Sequence, residues 1–120
     1  MNAIWVALGG GIGAAARYGV NIGATRFLGM AFPYGTLIIN ILGSLAMGLV
    51  IGAFATRETD PALKLFLTTG ILGGFTTFSA FSLETVMLYE RKPVLAVLYV
   101  AASVFLSIGA CIVGLKIHAR

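Results

Sequence analysis

Thr76, Thr77, Ser79 and Ser82 place hydroxyls, and Phe78 and Phe81 place rings, in one short stretch of a predominantly apolar run from Pro61 to about Tyr89. Hydroxyls donate hydrogen bonds, and a phenyl ring has a positive edge. Together they can solvate a small, partly dehydrated anion. Phe78 and Phe81 are three apart and share a helix face, with Ser79 and Ser82 on an adjacent strip. Alone, phenylalanines in such a run read as lipid-facing bulk; the neighbouring donors give the pair a chemical reading. Glu84 comes next, an acidic residue well inside the run. A carboxylate at membrane depth is functional by default, as a protonatable relay or a hydrogen-bonded group near a pore mouth. No catalytic triad or metal cluster accompanies these residues, so no enzyme chemistry is expected.

Two further stretches supply donors. Thr36, Asn40 and Ser44 recur every fourth residue and share a face. The Asn40 amide can donate two hydrogen bonds and must find partners in lipid. It reads either as an interhelical tie or as a donor lining an anion path. Ser44, Gly48 and Gly52 continue the series as small residues, so packing competes as an account of that half. Tyr99, Ser103 and Ser107 form a similar stripe, either interhelical hydrogen bonds or a hydroxyl-lined conduit. Arg17 lies inside the first apolar segment. It either snorkels to the headgroups or lines an aqueous vestibule and attracts an anion.

The elements that hold these groups are helices of membrane length. The chain has 120 residues, 59% hydrophobic and 10% charged, with mean hydropathy +1.01. Soluble domains carry about 25% charged residues. Four apolar segments, about 4–24, 32–55, 62–89 and 94–115, form one transmembrane domain with both termini on the same side. Pro61 and Pro93 sit at helix starts, which suits their missing N–H. Met1-Asn2-Ala3 has no basic region, and no cleavable signal is expected. Cys111 is the chain's single cysteine and reads as a small apolar helix residue. The net charge of +4 forms no basic run, so nucleic acid is not an expected partner.

Glycines punctuate these helices. Gly9/Gly13 and Gly19/Gly23 are four apart and smooth one face of the first helix. The glycine string lacks the Gly-Lys-Ser/Thr of a phosphate loop. In the third helix Gly73-Gly74 is the expected break, because glycine reaches left-handed angles without strain. Thr77 or Ser79 would cap a second half-helix. Such breaks present carbonyls and helix ends to ions. The alternative is an unbroken helix whose small face packs on a neighbour.

Charge placement bears on assembly. The side holding both termini carries Arg57, Lys64, Lys116 and Arg120; the other carries Arg26, Arg91 and Lys92, with Arg17 near it. The positive-inside rule then expresses almost no preference. Oppositely inserted copies could pair about an axis in the membrane plane. Four short helices are also few to enclose a conduit.

The run Gly73-Gly-Phe-Thr76-Thr77-Phe78-Ser79-Ala-Phe81-Ser82-Leu-Glu84 closely resembles the third-helix signature of the Fluc/CrcB fluoride channels. The Gly-Gly-x-x-Gly-Ala-x-x-Arg pattern from Gly9 to Arg17, and Gly35-Thr-Leu-Ile-Ile-Asn40-Ile-Leu-Gly43, agree with it. The resemblance covers all four segments. It implies an all-α membrane protein with a broken third helix, forming an antiparallel, dual-topology homodimer with two fluoride pores. It further implies passive export of cytoplasmic fluoride across a bacterial inner membrane, relieving fluoride toxicity. A structural sodium ion, not transported, would sit on backbone carbonyls of Gly73 and Thr76 from both subunits. The family's ring pair matches Phe78 and Phe81, and its pore amide matches Asn40. Its hydroxyl track matches Ser82, Tyr99, Ser103 and Ser107, and more loosely Thr77 and Ser79. Ala80 departs from the pattern, where a threonine is frequent. The rival class is the small multidrug-resistance transporter, proton-coupled and also dual-topology. It depends on a first-helix glutamate, and this first segment has no acidic residue. A purely structural subunit fits the clustered polar stripes poorly.

Overall fold

A computed structural model describes residues 2–55 and 60–117; Arg57 and Arg120 of the charge comparison lie outside these residues. All regular structure there is helical. α1 spans Asn2–Leu28, α2 Tyr34–Ala55 and α3 Pro61–Leu65. A π-helical segment, Phe66–Leu72, leads into the short α4, Gly73–Phe75, and then come α5, Ser79–Arg91, and α6, Pro93–Ile117. α2, the composite stretch Pro61–Arg91, and α6 are each long and apolar enough to cross a membrane. α1 has the length, at 27 residues, but its glycines, Arg17 and Arg26 dilute its apolar character. The longest extent, 48 Å, compares with a bilayer of about 40–45 Å including headgroups.

Local chemistry explains the boundaries. α1 ends at Gly29, whose φ of +85° is the left-handed stop that favours glycine. Asp60 caps α3 by accepting from the Ala62 N–H at 2.9 Å, with Pro61 in the first turn. α5 stops at Lys92, which precedes Pro93 and cannot comfortably stay helical.

The helices form two close pairs. α2 and α6 run parallel, and glycines bring their backbones together. A methyl group on Gly48 would lie 2.3 Å from the Cys111 carbonyl oxygen, and one on Gly114 2.5 Å from that of Leu45. α1 lies against the π segment and α4. There a methyl on Gly9 would meet the Phe66 carbonyl oxygen at 2.6 Å, one on Gly13 the Ile71 carbonyl oxygen at 2.0 Å, and one on Gly74 the Gly10 carbonyl oxygen at 2.5 Å. This is the close approach that small residues permit between membrane helices. Gly19 and Gly23 have open space around them, so the second glycine pair of α1 packs on nothing within the described residues. Leu88, Ala96 and Tyr99 form a small core, joined by Phe32, Leu37, Phe81 and Leu95.

The third span is broken, but not at Gly73-Gly74. Gly73 is helical, with φ −63° and ψ −39°, and Gly74 also lies in α4. The chain leaves the helix at Thr76, φ −81° and ψ 158°, an extended geometry open to any residue. Gly74 is needed for contact with α1 rather than for turning. The expected glycine break is therefore displaced to Thr76 and Thr77, while the alternative glycine packing holds at Gly74.

Candidate functional site

The break is stabilised from α2. The Asn40 Nδ2 donates to the Thr77 carbonyl at 3.1 Å, and the Thr77 N–H donates to Asn40 Oδ1 at 3.0 Å. The side-chain amide thus replaces the backbone partners that Thr77 loses on leaving the helix. Thr77 also caps α5: its Oγ1 accepts from the Ala80 N–H at 3.2 Å. Ser79 is the first residue of α5 and makes no cap. Thr76 folds back, its N–H and its Oγ1 each donating to the Leu72 carbonyl at 3.0 Å. In α2, Gly43 leaves room for it; a methyl there would stand 2.2 Å from Thr76 Cγ2.

Because the Thr77 N–H turns to Asn40, the Gly73 carbonyl lacks the donor four residues on that an unbroken helix supplies. Gly73 is exposed, on a face the chain itself leaves uncovered. Thr76 is extended, so its carbonyl also stands outside a regular helix.

Beside the break lies a cleft of about 420 Å³. Asn40, Thr76, Thr77, Phe78, Phe81, Ser103 and Ser107 all line it. The Ser103 and Ser107 hydroxyls are buried without a hydrogen-bond partner, so both are donors in waiting. The Asn40 amide keeps its second N–H, and the Thr77 hydroxyl, which accepts from Ala80, keeps its proton to donate. The rings of Phe78 and Phe81 lie 5.7 Å apart, tilted by 48°. Phe78 is 77% exposed, so the cleft is open on the side of this ring.

The other predicted residues lie elsewhere. Ser79 and Ser82 are exposed and off the cleft wall, and the Ser82 hydroxyl donates to the Phe78 carbonyl at 3.0 Å. Tyr99 stands behind Phe81, its ring 5.2 Å away, with its hydroxyl buried and unpartnered. Glu84 accepts a hydrogen bond from the Thr36 hydroxyl and lines a second cleft, about 300 Å³, with Asn21, Thr25 and Arg91. Arg17 is half-buried and lines neither cleft. Gly43, Met47 and Cys111 also line the first cleft and were not singled out for it from sequence. Cys111 carries a readable signal, four residues beyond Ser107 and so the next step of the Tyr99–Ser103–Ser107 series.

A family model described as "CrcB-like protein, Camphor Resistance (CrcB)" matches residues 4–115. The chain belongs to the CrcB family. Two relatives, from Granulibacter bethesdensis and a Methylobacterium species, are each 55% identical over 119 residues. The match covers 98% of this chain and 94% and 95% of theirs. A third, from Rhodopseudomonas palustris, is 52% identical over 98% of this chain and 96% of its own. All three are named fluoride-specific ion channel FluC. Identity this high spans all the helices, so the CrcB chain is a multi-pass membrane protein.

Proposed function

We propose that this CrcB protein is a fluoride-selective channel that lets cytoplasmic fluoride leave passively. The observation that carries the reading is the cleft lined together by Asn40, the Phe78–Phe81 pair, and Ser103 and Ser107, whose buried hydroxyls have no hydrogen-bond partner. The FluC relatives support the choice of anion. Fluoride holds water tightly, so a pore must replace that water with donors. Ser103, Ser107, Thr77 and the second Asn40 N–H supply them, and ring edges supplement them. Water removed from such a cleft makes each donor more effective, because the local dielectric falls. Tyr99, Ser79 and Ser82 would contribute only if the path continues beyond the cleft, toward Glu84 and the second cavity. Arg17 would act at a vestibule.

α1 completes a bundle of four crossing helices in this reading. The exposed Phe78 and the open wall of the cleft are covered by a second, oppositely inserted copy, giving two pores per dimer. Near-equal basic counts permit both insertions. The Gly73 carbonyl without its helical donor, and the Thr76 carbonyl beside it, suit a hard cation such as Na+. These two carbonyls from each copy would hold it, and the bound ion would neutralise oxygens that otherwise face one another. The expected membrane is the bacterial inner membrane. A proton-coupled drug transporter is not favoured, since α1 contains no acidic residue.

Purified protein in liposomes should release fluoride down its gradient, electrically, while retaining chloride. Obligatory exchange for protons or for a drug cation would exclude the channel.

A further inference from the structure

Tyr99, Ser103 and Ser107 recur every fourth residue along α6, and the next position in that series is Cys111. Ser103, Ser107 and Cys111 line the same cleft. The thiol is free and the residue partly exposed. Its backbone is held hard against Gly48 of α2, so the side chain cannot easily be carried out of the cleft by helix movement. Two turns away, Ser103 lines the same cleft, is only 6% exposed, and has a buried hydroxyl without a hydrogen-bond partner. A buried donor in this state is one that a ligand satisfies. Cys111 therefore stands on the wall of a space built for a guest, at the end away from Phe81. Met47 and Ile108 line the cleft with it.

From this we infer that Cys111 is a thiol-modification site that closes the anion path. The inference rests on the reading of the cleft as that path. The ligand class is a small, uncharged electrophile that transfers a thioalkyl group. In the step, the Cys111 Sγ–H bond breaks and its proton goes to solvent. The sulfur attacks the thioalkyl sulfur of the reagent, a mixed disulfide forms, and the reagent's sulfinate leaves with the electron pair of the broken S–S bond. No external oxidant is required, because the reagent is the oxidised partner.

The test uses methyl and benzyl methanethiosulfonate on the full chain in liposomes. Labelling is monitored by intact mass and fluoride efflux by electrode. The quantity compared is the ratio of treated to untreated flux within each protein. In the unsubstituted protein, benzyl labelling should lower efflux about tenfold and the methyl adduct less, with recovery on adding a reductant, as expected for a narrowed constriction. Cys111→Ser should show a ratio near one whatever its own rate. A control with Cys111→Ser and Val113→Cys places the thiol on an exposed face of α6. It should label without loss of flux. Absence of fluoride efflux before treatment would overturn the channel reading, and this inference with it. Efflux present but unchanged by complete labelling, failure of Cys111 to label, or equal block in the Val113 control would each overturn the inference alone.

Discussion

Asn40 and Thr77 are joined by two hydrogen bonds, side-chain amide to backbone, at 3.1 and 3.0 Å. The residue that offers the cleft an N–H is therefore also the residue that holds the broken span open. In the proposed channel, stability and permeation would be coupled at this position, and substitutions at Asn40 and Ser103 would separate them.

Asn40→Leu removes both bonds and leaves the Thr77 N–H and carbonyl without their partner. The expected cost is roughly 2–6 kcal/mol, as each of the two buried unpaired groups costs about 1–3. A marked fall in thermal midpoint in detergent, accompanied by loss of flux, is the expected pair of results. An unchanged midpoint would mean that the break is held by something else.

Ser103→Ala should lower flux without lowering stability. The hydroxyl has no partner among the described residues, so its removal should not destabilise and can stabilise slightly. Fluoride efflux should fall, since a donor is lost from the cleft. Unchanged efflux would return Ser103 to a packing role.

Phe78→Ile and Phe81→Ile keep bulk but remove the positive ring edge. Strongly reduced fluoride flux with normal assembly is expected from electrostatic action. Wild-type efflux in both variants would make the rings ordinary packing residues.

Glycine substitutions distinguish packing within the chain from packing between copies. Gly74→Ala and Gly13→Ala drive a methyl into backbone of the facing element and should impair folding. Gly73→Ala meets only the Thr68 carbonyl oxygen at 3.5 Å, an ordinary contact. A folded monomer that fails to dimerise and to conduct would place the partner at this face. A fully active Gly73→Ala dimer would argue against a crowded carbonyl site there. Replacing Na+ with a large organic cation should lower activity slowly; lasting full activity without Na+ would remove the ion from the mechanism.

Dual insertion is read by labelling. A single cysteine placed at Arg120 in a Cys111→Ser background should react from both faces of intact membranes. Reaction from one face only, in active protein, would exclude antiparallel pairing.

Composition and periodicity determined what lies in lipid. Apolar runs of membrane length, interrupted by short polar connections, admit few structures except helices, because lipid satisfies no backbone group. Pro61 and Pro93 marked helix starts for the same local reason, a missing N–H. The polar stripes on α2 and α6 were legible too, since a spacing of four defines a face. What sequence could not decide is which face meets which neighbour. Gly73-Gly74 has the composition of a break, yet Gly74 is helical and packs its bare backbone against Gly10 of α1. Departure falls at Thr76 and Thr77, where Asn40, 37 positions from Thr77 in sequence, supplies the lost hydrogen bonds. Likewise Ser82 reads as an equal of Ser103 and Ser107, and Ser79 more loosely so, but of these only Ser103 and Ser107 line the cleft, with buried and unpartnered hydroxyls. A hydroxyl's chemistry is local, whereas its availability depends on the packing of segments distant in the chain, and tertiary structure alone supplies that.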